Sequence, residues 1–132
     1  MSAEAMAVQQ AVVAALVADP VLMAAVSGVF DGLPVRAVLP WAGVDCGPVT
    51  DWSHKTGQGR EVRVTISLWS DGAAASALHG LMAQAEKAML GVDLAAGAMR
   101  VVSLVFLRSR IVRDADGPWL GMIEYRARIL AE

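Results

Sequence analysis

Residues 61–69 alternate without interruption: Val62, Val64, Ile66 and Leu68 fall on one side, and Glu61, Arg63, Thr65, Ser67 and Trp69 on the other. A period of two is that of a pleated strand, and apolar residues on one side only mean that one face is buried. The run is therefore expected to be the central strand of a sheet, and the rest of the chain must cover its apolar face. The preceding residues 51–59 contain Asp51, Ser53, Gly57 and Gly59, which favour turns, so this stretch is expected to be a polar loop leading into the strand. It exceeds the usual hairpin length, which predicts mobility in an isolated subunit. A loop held on a rigid sheet is well placed for recognition.

The flanking segments supply the cover. Residues 3–18 are alanine-rich, with Val8, Val12, Ala15 and Leu16 at helical spacing and Gln9 and Gln10 beside them, which predicts an amphipathic helix ending at Asp19-Pro20. Pro20 suits the first turn of a short second helix running to about Val26 and closed by Gly28. Six glycines and prolines between residues 29 and 49 exclude a long helix and predict a kinked extended path, with a strand near 39–44 resuming to 49 and pairing antiparallel with 60–70. After Asp71-Gly72 the period changes, and Ala74, Leu78, Leu81, Met82, Ala85 and Met89 form the stripe of a second main helix over 73–90, capped near Asp71 or Gly72 and stopped by Gly91. Residues 100–113 and 118–130 read as a second hairpin around Asp114-Ala115-Asp116-Gly117-Pro118. The expectation is one α+β domain in the order helix, hairpin, helix, hairpin: a mainly antiparallel sheet of about four strands with two main helices on one face.

A chain of 132 residues is large enough to bury about two-thirds of its unfolded surface in one core. The lone Cys46 cannot form an intramolecular disulfide and reads as a partly buried, inert thiol. Net charge is −2, with nine arginines and two lysines, so charge distribution matters more than the total. No apolar run approaches the roughly 18 residues of a membrane span, and the first residues lack a secretory pattern. A soluble protein whose apolar surplus is covered by other subunits is expected, with no membrane partner.

Catalytic and metal readings are weak. Asp51, Ser53 and His54 are the residue types of a hydrolase triad, but adjacency in a loop does not supply the required geometry, and a solvated or interface histidine is favoured. His79 has no second histidine one turn away. Gly57 and Gly59 precede a strand rather than the helix of a phosphate-binding loop, and the Asp114/Asp116 turn lacks the remaining ligands of a calcium loop. No cofactor or metal is expected. Met82 and Met89 read as core fillers. Arg108, Arg110 and Arg113 before the second turn, with Arg126 and Arg128 after it, concentrate cations on part of the sheet. They read either as a solvated face or as a contact with acidic groups or phosphate. Of Trp41, Trp52, Trp69 and Trp119, the loop residue Trp52 is the foremost interface candidate.

Four stretches, QQAVVAALVADPVLMAAV, VFDGLP, DWSHKTGQGREVRVTISLWS and RIVRDADGPWLGMIEYRARI, resemble in this order the tail-completion or tail-terminator family of long-tailed phages and gene transfer agents. The resemblance spans nearly the whole chain. Asp51-Trp52-Ser53 with Lys55-Thr56, and Asp116-Gly117 followed by an aromatic residue and a glycine, are its most specific parts; His54 stands where a small polar residue is expected.

The resemblance implies a non-enzymatic virion protein, assembled in the bacterial cytoplasm into a phage or gene transfer agent particle. It forms a homo-oligomeric ring, commonly a hexamer, on the head-proximal end of the tail tube. There it stops polymerisation of the major tail tube protein and joins the head–tail connector or stopper, with DNA only as passing cargo. Asp51, Trp52, Ser53, His54, Lys55 and Thr56 are the expected interface, and Arg108, Arg110, Arg126 and Arg128 a further interface or lumen set. The alternative from fold class is a small-ligand-binding or regulatory α+β domain.

Overall fold

The computed structural model describes residues 3–32, 34, 36–72, 74–95, 99–113 and 116–131. The elements are α1 (Ala3–Val17), α2 (Pro20–Ala25), β1 (Val29–Asp31), β2 (Trp41–Asp51), β3 (Gly59–Ser70), α3 (Ala75–Met89), β4 (Met99–Arg113) and β5 (Trp119–Ala131). Five strands form one sheet in the order β1-β2-β3-β5-β4, with β3 at its centre as expected.

The sheet departs from the four-strand antiparallel expectation through β1, three residues that pair parallel with β2. Val-Phe-Asp is too short to display a period. The strand exists because α2 ends beside β2, and Gly32, at φ 88°, turns the chain back for a second pass in the same direction. All other neighbouring pairs are antiparallel. In β2 the register shifts between Cys46 and Val49, across Gly47-Pro48, where the sequence predicts an interruption.

Val62, Val64, Ile66 and Leu68 of β3 are fully buried and share one core with residues of all three helices. Ile123, Tyr125, Ala127 and Ile129 continue this inner face on β5. Val8, Val12, Ala15 and Leu16 of α1 are buried as their spacing predicts. Gln9 is not on the polar side: it is 4% exposed, and its Nε2 donates to the Val44 carbonyl at 3.2 Å, fastening α1 to β2. Leu78, Leu81, Met82, Ala85 and Met89 of α3 are buried, whereas Ala74 is the exposed N-cap residue. The α3 cap is therefore not at Asp71 or Gly72, and it has no side-chain hydrogen bond. Residue 73, included in the expected helix, and residues 114 and 115 of the expected turn lie outside the described residues.

Two polar contacts set the helical layer. Asp19 caps α2 by accepting from the Val21 and Leu22 N–H groups at 3.0 Å, and Gln84 Nε2 donates to both its carboxylate oxygens at 3.1 and 2.9 Å. The Leu22 N–H and then Gln84 hold the Asp19 carboxyl below its ordinary value. On β5, Gly121 leaves room for α3, since a Cβ there would sit 2.6 Å from Met82 Sδ.

Ile66→Ala is expected to lower unfolding free energy by about 2–5 kcal/mol, through lost burial and a residual cavity, without changing strand content. Chemical denaturation followed by circular dichroism checks this.

Candidate functional site

Residues 52–58 prolong the β2–β3 hairpin rather than forming an open loop. The Trp52 N–H donates to the Gly59 carbonyl at 3.0 Å and the His54 N–H to the Gly57 carbonyl at 2.8 Å, leaving Lys55 and Thr56 as the two residues at the turn. Both are exposed. The length of the segment thus becomes a projecting tip, because its polar main-chain groups pair across the hairpin.

Side chains brace the tip. Ser53 Oγ donates to Asp51 Oδ1 at 2.7 Å and accepts from the Gly59 N–H at 3.2 Å, while Arg60 Nη1 reaches the same Asp51 oxygen at 3.1 Å. The Ser53 hydroxyl, followed by Ser53 N–H and Arg60, lowers the Asp51 carboxyl from its ordinary value, opposed by partial desolvation. The Trp52 and His54 rings meet edge to face, with centroids 4.5 Å apart, and the Arg128 guanidinium lies 5.3 Å from the Trp52 centroid. Ser53 therefore bonds directly to Asp51, and His54 packs on Trp52. This is not the serine–histidine–aspartate relay required of a triad.

The hairpin tip continues into the outer face of the sheet, opposite the helices. The register places Glu61 opposite Arg128, Arg63 opposite Arg126 and Thr65 opposite Glu124. Glu61 receives Arg128 Nε at 3.1 Å, with Arg126 Nε at 3.9 Å and Arg63 at 4.0 Å. Arg126 Nε is buried and has no hydrogen-bond partner among the described residues. Beyond it, Arg108 forms a two-pronged pair with Glu124, Nε to Oε2 at 2.6 Å and Nη2 to Oε1 at 3.3 Å. This contact lowers the Glu124 carboxyl from its ordinary range. Arg63, Arg108, Arg126 and Arg128 thus face two glutamates, leaving an excess of positive charge on a partly desolvated surface. Arg110 lies opposite Met122 on the exposed side of β4 and contacts neither glutamate by a hydrogen bond.

The structure therefore brings Asp51, Trp52, Ser53 and His54 together with Arg128, sets Lys55 and Thr56 at the apex, and places Arg108 and Arg126 on the adjoining face. Sequence reasoning missed Arg60, Glu61 and Arg63 as organisers of this surface. Their alternation with buried valines was visible, but their arginine neighbours on β5 depend on register. It also missed the aromatic cluster at the other end of the outer face, where Trp41 stacks on Trp69 at 5.7 Å and meets Phe30 edge to face at 6.0 Å. Trp41 is 9% exposed, while Trp69 and Trp119 are half-buried.

Cys46 is half-buried against the core, and burial, then Asp45 and Asp31, push its thiol up to about 12, which suits an unreactive sulfur. His79 is exposed on α3. Among the described residues, no group of three or more His, Cys, Asp or Glu side chains gathers where a metal ion would bind, and no helix is long and apolar enough to cross a membrane.

Residues 10–130 match the sequence model of the family described as tail completion protein gp17. The fold is similar to that of a chain in the solved virion of a native gene transfer agent particle, with a TM-score of 0.84 and 33% sequence identity over 99% of this chain and 100% of that one. No curated protein matches the chain.

Gly59→Ala is expected to destabilise the protein by about 1–3 kcal/mol, because an added methyl runs into the Trp52 and Ile129 carbonyls and forces main chain apart. Denaturant titration measures the loss, and a shift in tryptophan emission from Trp52 reports displacement of the tip.

Proposed function

The chain belongs to the family of tail completion proteins, and from that premise we propose that it forms a ring at the head-proximal end of a tail tube. Membership makes it a structural protein of a phage or gene transfer agent tail, located in the virion. In the proposed ring it ends polymerisation of the tube protein and offers its other surface to the head–tail connector or stopper. The observation that carries this reading is the end-to-end similarity to a chain of an assembled particle.

The geometry supplies the means. A closed ring uses heterologous contacts, in which one surface of a subunit fits a different surface of the next. The β2–β3 tip is such a projection: Trp52 presents an aromatic face fixed by His54 and Arg128, with Lys55 and Thr56 free at the apex. Tryptophan and arginine are the residue types that carry most binding energy at interfaces. Asp51, Ser53 and Arg60 hold the tip in shape before assembly, which reduces the entropy lost on docking. The arginine excess around Glu61 and Glu124 suits a carboxylate of a neighbouring subunit or the phosphates of DNA in transit, since guanidinium binds either bidentately.

Trp52→Ala is expected to leave the fold intact and to reduce incorporation into tails at least about tenfold, read as copies per particle by quantitative mass spectrometry. Unchanged incorporation would remove the tip from the interface. Combined reversal of Arg126→Glu and Arg128→Glu is expected to abolish assembly if these residues meet neighbouring subunits. If they line a DNA passage, complete particles that fail to deliver DNA are expected instead; normal delivery would exclude both roles.

A further inference from the structure

The two margins of the sheet differ in length, composition and charge. One is β4, fifteen residues from Met99 to Arg113 paired only with β5, which spans about 50 Å at roughly 3.3 Å per residue. It contains no proline, glycine or acidic residue, and it carries Arg100, Arg108, Arg110 and Arg113. Val102, Val105, Phe106 and Val112 lie 39–45% exposed along it. The other margin is β1, beyond which residues 45–51 of β2 have no strand on that side among the described residues. It carries Asp31 and Asp45, both exposed and neither ion-paired among the described residues.

A long, unpaired strand edge with apolar side chains is a template for another strand, and chains that remain monomeric ordinarily shorten or cover it. Here the registers indicate what it fits. Asp31 aligns with Val44, Val44 with Ile66, Ile66 with Ile123 and Ile123 with Ser109, so Asp31 stands at the height of Ser109 on the helix side, whereas Arg108 and Arg110 are on the outer face. Asp45 aligns through Thr65 and Glu124 with Arg108 itself. Asp45 and Arg108 therefore sit at one level and on one face, at opposite margins of one subunit.

Strand direction agrees. β4 runs opposite to β5, β5 opposite to β3, β3 opposite to β2, and β2 alongside β1, so β4 runs opposite to β1. A second copy rotated about an axis along the strands, without rise, brings its β1 margin to β4 in antiparallel orientation and at the same level. Asp45 of that copy then lies at the level of Arg108 and, like Arg108 and Arg110, on the outer face of the sheet.

We infer that successive subunits of the ring join edge to edge, the β4 margin of one copy against the β1–β2 margin of the next, through main-chain pairing and contacts of Asp45 with Arg108 and Arg110. This rests on the proposed ring and names its subunit junction. Each copy offers one margin of each kind, so the contact is heterologous and closes when the rotation completes a circle. Main-chain pairing supplies adhesion, and opposite charge selects the correct margin and register over β4 meeting β4.

The test is a charge exchange between two forms of the full chain, supplied in cells whose own copy of the gene has been removed. Combined Arg108→Glu and Arg110→Glu reverses β4 at the level of Asp45, so that both margins of one form are acidic there, and Asp45→Lys replaces the acidic partner in the other. Each form alone is expected to fold, by circular dichroism and melting, but to enter particles at least about tenfold less than the unsubstituted chain. Expressed together they are expected to recover incorporation, because an alternating ring restores an opposite-charge contact at each junction. Two forms that each assemble normally alone, or a folded pair that recovers nothing together, would overturn the edge-to-edge junction. The unsubstituted chain separates the two readings: one copy per particle would overturn the ring itself, whereas several copies with charge-insensitive assembly would overturn only this junction.

Discussion

Burial of Val62, Val64, Ile66 and Leu68 commits β3, and through it the whole sheet, to having two unlike faces. Side chains on a strand alternate, so covering these four with helices sends Glu61, Arg63, Thr65, Ser67 and Trp69 to the other side. A one-residue slip against β2 or β5 would reverse both sets at once, which is why the register is strongly specified. All three helices contribute to the same core, and the opposite face is left to side chains of the strands themselves.

On the uncovered face, polar groups are arranged by cross-strand pairing. Arg63 stands directly opposite Arg126, an unfavourable pairing in isolation, and Glu61 lies close enough to serve both while bonding Arg128. One carboxylate among three guanidinium groups does not satisfy them all, as the unpartnered Arg126 Nε shows. At the tip, by contrast, Asp51 Oδ1 accepts from both Ser53 and Arg60. The tip is a braced element and the arginine face an electrostatically incomplete one, and both properties suit the proposed ring.

The side chains that suggest catalysis are accounted for in this scheme. Ser53 and Asp51 bond to each other, His54 supports Trp52, and the Cys46 thiol is held against the core with its ionisation opposed by burial and by two nearby aspartates. Membership of the tail completion family agrees with a role carried by surfaces.

From residue order alone, the alternating run at 61–69, the helical stripes of α1 and α3, the proline that opens α2 and the second hairpin were legible, because each is a local period or a local restriction on backbone angles. The family resemblance was legible too, because it rests on short ordered stretches. The length and type of the tip residues were readable, but not its closure, since the hydrogen bonds that turn residues 52–58 into an extension of the hairpin depend on how β2 meets β3. Only the tertiary structure produced β1, too short to show a period, and the burial of Gln9, whose amide finds the Val44 carbonyl 35 residues away. It also decided which arginines surround Glu61 and that Asp45 and Arg108 lie at one level on opposite margins, for register is a relation between distant segments that no single stretch contains.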